Sequence, residues 1–228
     1  MAKGAVTRKQ LLKEPDQFIT FSGKLIAFGQ THLKSILIGA GSILALILII
    51  TVAGQISNRN ENKASERVEK ALAKYSAALQ DTDAKTAYDR VKADFDDIFD
   101  AYGSKNTVKI ARIAYGDICY NAGDVDAAIA SYQQALDDFA QAPALKSIVV
   151  SGLGHAYMLK EELPEAIRYF EMLSQDAEKT MKSGALFNLA WLYEATGEAE
   201  KSKARYEQLL AEFPNAMYVD LVKERINS

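Results

Sequence analysis

Residues 111–136 read ARIAYGDICYNAGDVDAAIASYQQAL: a helix, a short turn and a second helix. Two later stretches repeat the plan, VVSGLGHAYMLKEELPEAIRYFEML over 149–173 and LFNLAWLYEATGEAEKSKARYEQLL over 186–210. Laid over one another, they place Gly116, Gly154 and Ala190 together, small residues where paired helices must approach closely. One turn later come Cys119, Tyr157 and Tyr193. On the second helix, small Ala128, Ala166 and Ser202 are followed four residues on by the aromatic wedges Tyr132, Phe170 and Tyr206. The wedges lie 38 and then 36 residues apart, and a step of 37 back from Tyr132 reaches Phe95. A period in this range marks a stack of supersecondary units that cannot bury their apolar faces singly.

The units span about 109–142, 147–180 and 183–214, with a degenerate unit over about 69–102 and a capping helix at 216–227 whose apolar face is Met217, Tyr218, Leu221 and Val222. The fold class expected is all-α. The small, aromatic, Gly-turn, Ala, aromatic order resembles the tetratricopeptide repeat (TPR) family over about residues 69–214. This chain departs from that pattern in its longer period, in Glu161 where Gly123 and Gly197 occupy the other turns, and in a closing proline in register only at Pro214. Those departures predict longer or looser turns.

Upstream the character changes. Residues 35–54, SILIGAGSILALILIITVAG, carry no charge and include eleven Ile, Leu or Val residues. At about 1.5 Å per residue such a helix reaches the roughly 30 Å of a bilayer's hydrocarbon core. Residues 35–57 are therefore expected to form an N-terminal transmembrane helix, uncleaved because the apolar run exceeds the usual signal-peptide length. The preceding 1–34 form a basic tail: a capping box at Thr7 and Gln10 opens a helix ended by Pro15, and Phe18, Phe21, Leu25 and Phe28 share one face. Such a face suits the headgroup region or a partner helix. Beyond the span, 55–62 is polar and expected to fray. The juxtamembrane segment 58–83 carries a helix with Val68, Leu72, Tyr75 and Leu79 on one face, and the solenoid occupies 84–228.

Net charge is −3, but the first 34 residues hold six basic and two acidic side chains, so the rest carries −7. An acidic repeat region argues against nucleic acid as a partner. One cysteine and two histidines leave no zinc spacing, and no phosphate loop, GxSxG, HExxH or calcium loop occurs. No catalytic residue, cofactor or metal is expected, and no enzyme. Asp124, after Gly123, reads as a helix cap rather than a ligand. Cys119 reads as a buried filler.

By the family resemblance, the first helix of each repeat lines a concave surface. The implied groove residues are Ile110, Ile113, Asp117 and Tyr120, then Ile148, Ser151, His155 and Met158, then Phe187, Trp191 and Glu194. The set is apolar and aromatic, suiting an apolar helix or an unfolded segment, unless the chain's own terminal helices fill it. It lacks the Lys/Asn/Arg clamp by which chaperone-docking TPR domains hold a terminal carboxylate.

A basic tail, one span and an acidic TPR domain resemble in layout the bacterial ancillary subunit family of the SecYEG translocon. That resemblance implies a single-pass inner-membrane protein with a cytoplasmic N-terminus and a periplasmic, chaperone-like repeat domain. Its partners would be translocon subunits and unfolded or helical client segments. Charge flanking the span leaves the orientation open. The alternative is a TPR scaffold for a cell-envelope assembly or division complex.

Overall fold

The computed structural model describes the backbone of residues 33–176 and 179–227, with side chains over 46–175 and 181–226. The expected tail helices at 1–32 lie outside the described residues, as do the side chains of 35–45 in the expected span. Among the described residues there are nine helices and no strand: α1 (Leu33–Asp81), α2 (Ala84–Tyr102), α3 (Asn106–Asn121), α4 (Val125–Asp138), α5 (Pro143–Leu159), α6 (Leu163–Asp176), α7 (Lys179–Ala195), α8 (Ala199–Glu212) and α9 (Val219–Asn227). The chain divides into two compact units, 1–58 and 59–228. Among the described residues no helix is long and apolar enough to cross a membrane.

The second unit is a series of helical hairpins. α3 packs on α4, α5 on α6 and α7 on α8, while α4 meets α5 and α6 meets α7, so each hairpin leans on the next. Aromatic wedges fix the spacing. The Tyr132 ring fills the place where a Cβ on Gly116 would sit, 2.5 Å from its nearest ring atom, and also the place above Gly152, at 2.7 Å. One side chain thus joins α4 to its own partner helix and to the first helix of the next hairpin. Phe170 meets Gly154 in the same way, 2.8 Å from a Cβ position. Phe95 is fully buried beside the Tyr115 ring, with centroids 4.7 Å apart.

The three intra-hairpin turns share one geometry. Gly123 and Gly197 have φ of 79° and 78°, and Glu161 takes φ 63° in the corresponding turn. In each, the next residue's amide returns to a carbonyl five residues back: Asp124 to Cys119, Glu162 to Tyr157, Glu198 to Tyr193. The looser turn predicted at Glu161 is therefore not found, because this helix-ending pattern demands a left-handed residue whatever its side chain. Lys160 ties the same turn down by ion pairs to Asp126 at 3.0 Å and Glu162 at 2.9 Å. Asp124 accepts from the Ala127 amide, capping α4, and also from the Tyr88 hydroxyl at 2.8 Å.

Two further expectations change. The polar 55–62 segment does not fray, since α1 runs unbroken through it. Within this segment Glu61 accepts hydrogen bonds from Thr107, and a turn later Ala64 is fully buried in the core. The buried stripe of α1 is Ala64, Val68, Ala71 and Ala78, with Leu72 and Tyr75 at its margin and Leu79 exposed. Beside this stripe, Lys74 pairs with Asp94 of α2 at 2.7 Å. At the other end, α9 starts at Val219 rather than 216, and it buries Val219 and Val222 while Met217 and Leu221 face solvent.

Candidate protein-binding groove

The first helices of successive hairpins touch one another directly, α3 with α5 and α5 with α7, forming one layer of the solenoid. Their outward side chains are the expected groove. Ile110, Ile148 and Trp191 are exposed at 53%, 44% and 39%. Ile113 departs from the expectation: at 8% exposure it is packed into the core cluster although it shares a helix face with Ile110. Asp117 is exposed and accepts a short hydrogen bond from the Tyr132 hydroxyl, so it anchors the wedge as well as facing solvent. Tyr120 and Met158 are half-buried against the core.

Between α5 and α7 lies a cavity of about 250 Å³ lined by Ser151, His155, Phe170, Gly184, Phe187 and Tyr218, among others. The His155 ring meets Phe170 edge-on at 5.1 Å, and burial pushes its pKa below the usual imidazole range, keeping it neutral. Burial alone acts on His155, with no carboxylate contributing, so it serves as an apolar wall with a polar edge. Cys119 is fully buried, and burial pushes its thiol up to about 11, far from a reactive thiolate. Among the described residues no group of three or more His, Cys, Asp or Glu could hold a metal ion.

The third hairpin is partly covered. Phe187 stacks under Tyr218 with centroids 4.5 Å apart, and Glu194 accepts from Arg225 of α9 at 2.8 Å. Sequence reasoning placed Tyr218 on a capping face but missed Arg225 and missed the point of contact. The signal was present: Phe187 and Glu194 are seven apart, as are Tyr218 and Arg225. Gly152, the far wall of the Tyr132 wedge, was also missed.

This geometry defines a helical-repeat scaffold. Two tetratricopeptide repeat family models match the chain, one over residues 111–137 and the other over 184–216, so it carries tetratricopeptide repeats on its first and third hairpins. The hairpin between them shares the turn geometry and the glycine–aromatic wedge. Repeats of this class are protein–protein interaction scaffolds and are generally non-enzymatic. No curated protein matches the chain.

Proposed function

We propose that this chain is a membrane-anchored TPR protein that binds protein segments on the groove of Ile110, Ile113, Asp117, Tyr120, Ile148, Ser151, His155, Met158, Phe187, Trp191 and Glu194, with Ile113 supporting it from the core. The observation carrying the membrane part is the start of the described side chains. Leu46, Ile47, Leu48, Ile49, Ile50, Val52 and Ile56 are all exposed, which puts uncovered aliphatic residues on every face of α1. A helix apolar all round needs an apolar solvent, and the uncharged 35–54 supplies the length for a bilayer. The groove's exposed Ile and Trp side chains suit an apolar helix or an unfolded segment.

In this reading the protein sits in a bacterial inner membrane with its tail in the cytoplasm and its repeats in the periplasm, beside the translocon, receiving exported chains. Protease treatment of spheroplasts tests the orientation: degradation of the repeat domain is expected, and protection places it in the cytoplasm and removes the translocon role. Crosslinking in intact membranes followed by pull-down tests the partners. Recovery of translocon subunits with exported clients is expected. A single recurring envelope complex without them establishes the scaffold alternative instead.

A further inference from the structure

The C-terminal segment occupies the third repeat's groove residues. Tyr218 covers Phe187, and Arg225 holds Glu194. The backbone of α9 packs on α8, and the segment reaches α7 through Tyr218, just before α9, and Arg225 on it, with Trp191 between the two contacts along α7. The contact places an aromatic ring and a guanidinium two helical turns apart on the groove, as a bound helix would.

Several features mark this attachment as weak. α9 has nine residues and follows an irregular stretch opened by Pro214. Its buried side chains join a small cluster with Leu186, Ala190, Tyr206 and Leu209, separate from the main core. The Arg225–Glu194 pair is exposed on both sides and so screened by water. A cavity of about 540 Å³ remains between α9 and the third hairpin, lined by Tyr206, Leu221 and Arg225 among others. The Tyr206 hydroxyl is buried beside Arg225, whereas the Tyr132 hydroxyl reaches Asp117.

We infer that α9 is a displaceable stand-in for the protein's partner, and that the third repeat recognises an amphipathic helix presenting an aromatic residue and, seven positions later, a basic one. This rests on the protein-binding reading above and names the partner's chemistry. Phe187 takes the ring, Glu194 the cation, and Trp191 covers the side chain between them. Binding by a partner frees α9, so the full chain binds more weakly than its groove alone would.

The test uses the detergent-solubilised full chain and a synthetic peptide of residues 213–228, followed by emission of Trp191, the only tryptophan. The double variant Tyr218→Ala, Arg225→Ala is expected to bind the peptide at least tenfold more tightly than the unaltered chain. A peptide carrying the same two substitutions should bind at least tenfold more weakly than the natural one. Equal binding by both chains, equal binding of both peptides, or no binding by a variant with native circular dichroism overturns the inference. If the variant unfolds, amide exchange on the unaltered chain decides. Exchange of α9 faster than that of α7 and α8 supports the inference, and exchange of all three together overturns it. No translocon subunit or client enters this experiment, so its failure is separate from failure of the membrane role.

Discussion

Glu61 on α1 accepts hydrogen bonds from both the backbone amide and the hydroxyl of Thr107, each at 2.8 Å. Thr107 lies in the first turn of α3, whose own N-cap residue, Lys105, makes no side-chain cap. A carboxylate 46 residues away thus does the work of a local Ser or Asp. Glu61→Ala should lower the thermal midpoint and speed amide exchange at Thr107, by the amount of a lost cap, about 1 kcal/mol. An unchanged midpoint would show the contact to be idle.

The pH dependence follows from the same group and from Asp124. Hydrogen bonds from Thr107 hold the Glu61 carboxyl below its usual range, and the Tyr88 hydroxyl, then the Ala127 amide, do so for Asp124. A depressed carboxyl pKa adds stability that is complete above the ordinary value and disappears as pH falls toward the depressed one. Unfolding by denaturant should therefore become easier as pH drops below about 4, and the double variant Glu61→Gln, Asp124→Asn should show a flatter profile there.

Glycine substitutions at two kinds of site should act in opposite directions. Ala at Gly116 or Gly152 drives a methyl into the Tyr132 ring, and overpacking of this kind costs about 1–3 kcal/mol. Gly184, in α7, has only the Tyr218 hydroxyl near, at 3.9 Å. There Gly184→Ala should raise stability by up to about 1 kcal/mol through helix propensity alone. Chemical denaturation of the three variants checks the contrast.

Glu161 holds a left-handed conformation that costs a side-chain-bearing residue about 1 kcal/mol. Glu161→Gly should recover most of it, and Glu161→Asn part, with a raised denaturation midpoint and unchanged circular dichroism. A midpoint lowered by the glycine would mean the turn gains from the Glu161 side chain itself.

Trp191→Ala should weaken capture of protein partners about tenfold or more while leaving the fold intact, since the ring is 39% exposed and lies outside the buried core. Crosslinking yield in membranes, with circular dichroism as the control, measures it. Undiminished capture would place the binding surface elsewhere.

Cys119 should resist alkylation in the native protein at neutral pH and react at once in denaturant, because its thiol is buried and pushed up to about 11. Reaction at equal rates in both would mean that α3 opens freely.

What could be read without the structure was the periodic part. The period, the wedges and the small residues are signals repeated three times at nearly fixed spacing, so chain order alone reveals them. The turn at Glu161 was misjudged because composition was used where conformation decides: the hydrogen-bonding pattern forces φ positive there regardless of residue type. The groove was half legible. Helical spacing located Ile110, Ile148 and Trp191, but it misplaced Ile113, whose burial depends on what packs against that face of α3.

The amino-acid order therefore determined that this is a helical-hairpin solenoid, where its turns fall, and that an uncharged apolar stretch precedes it. Tertiary structure alone decided which contacts join distant segments: Glu61 capping α3, Tyr132 held between Gly116 and Gly152, and Tyr218 with Arg225 laid over Phe187 and Glu194. The physical reason is range. Helix and turn energies act over a few residues and leave a periodic trace, whereas a contact between segments depends on where whole helices come to rest.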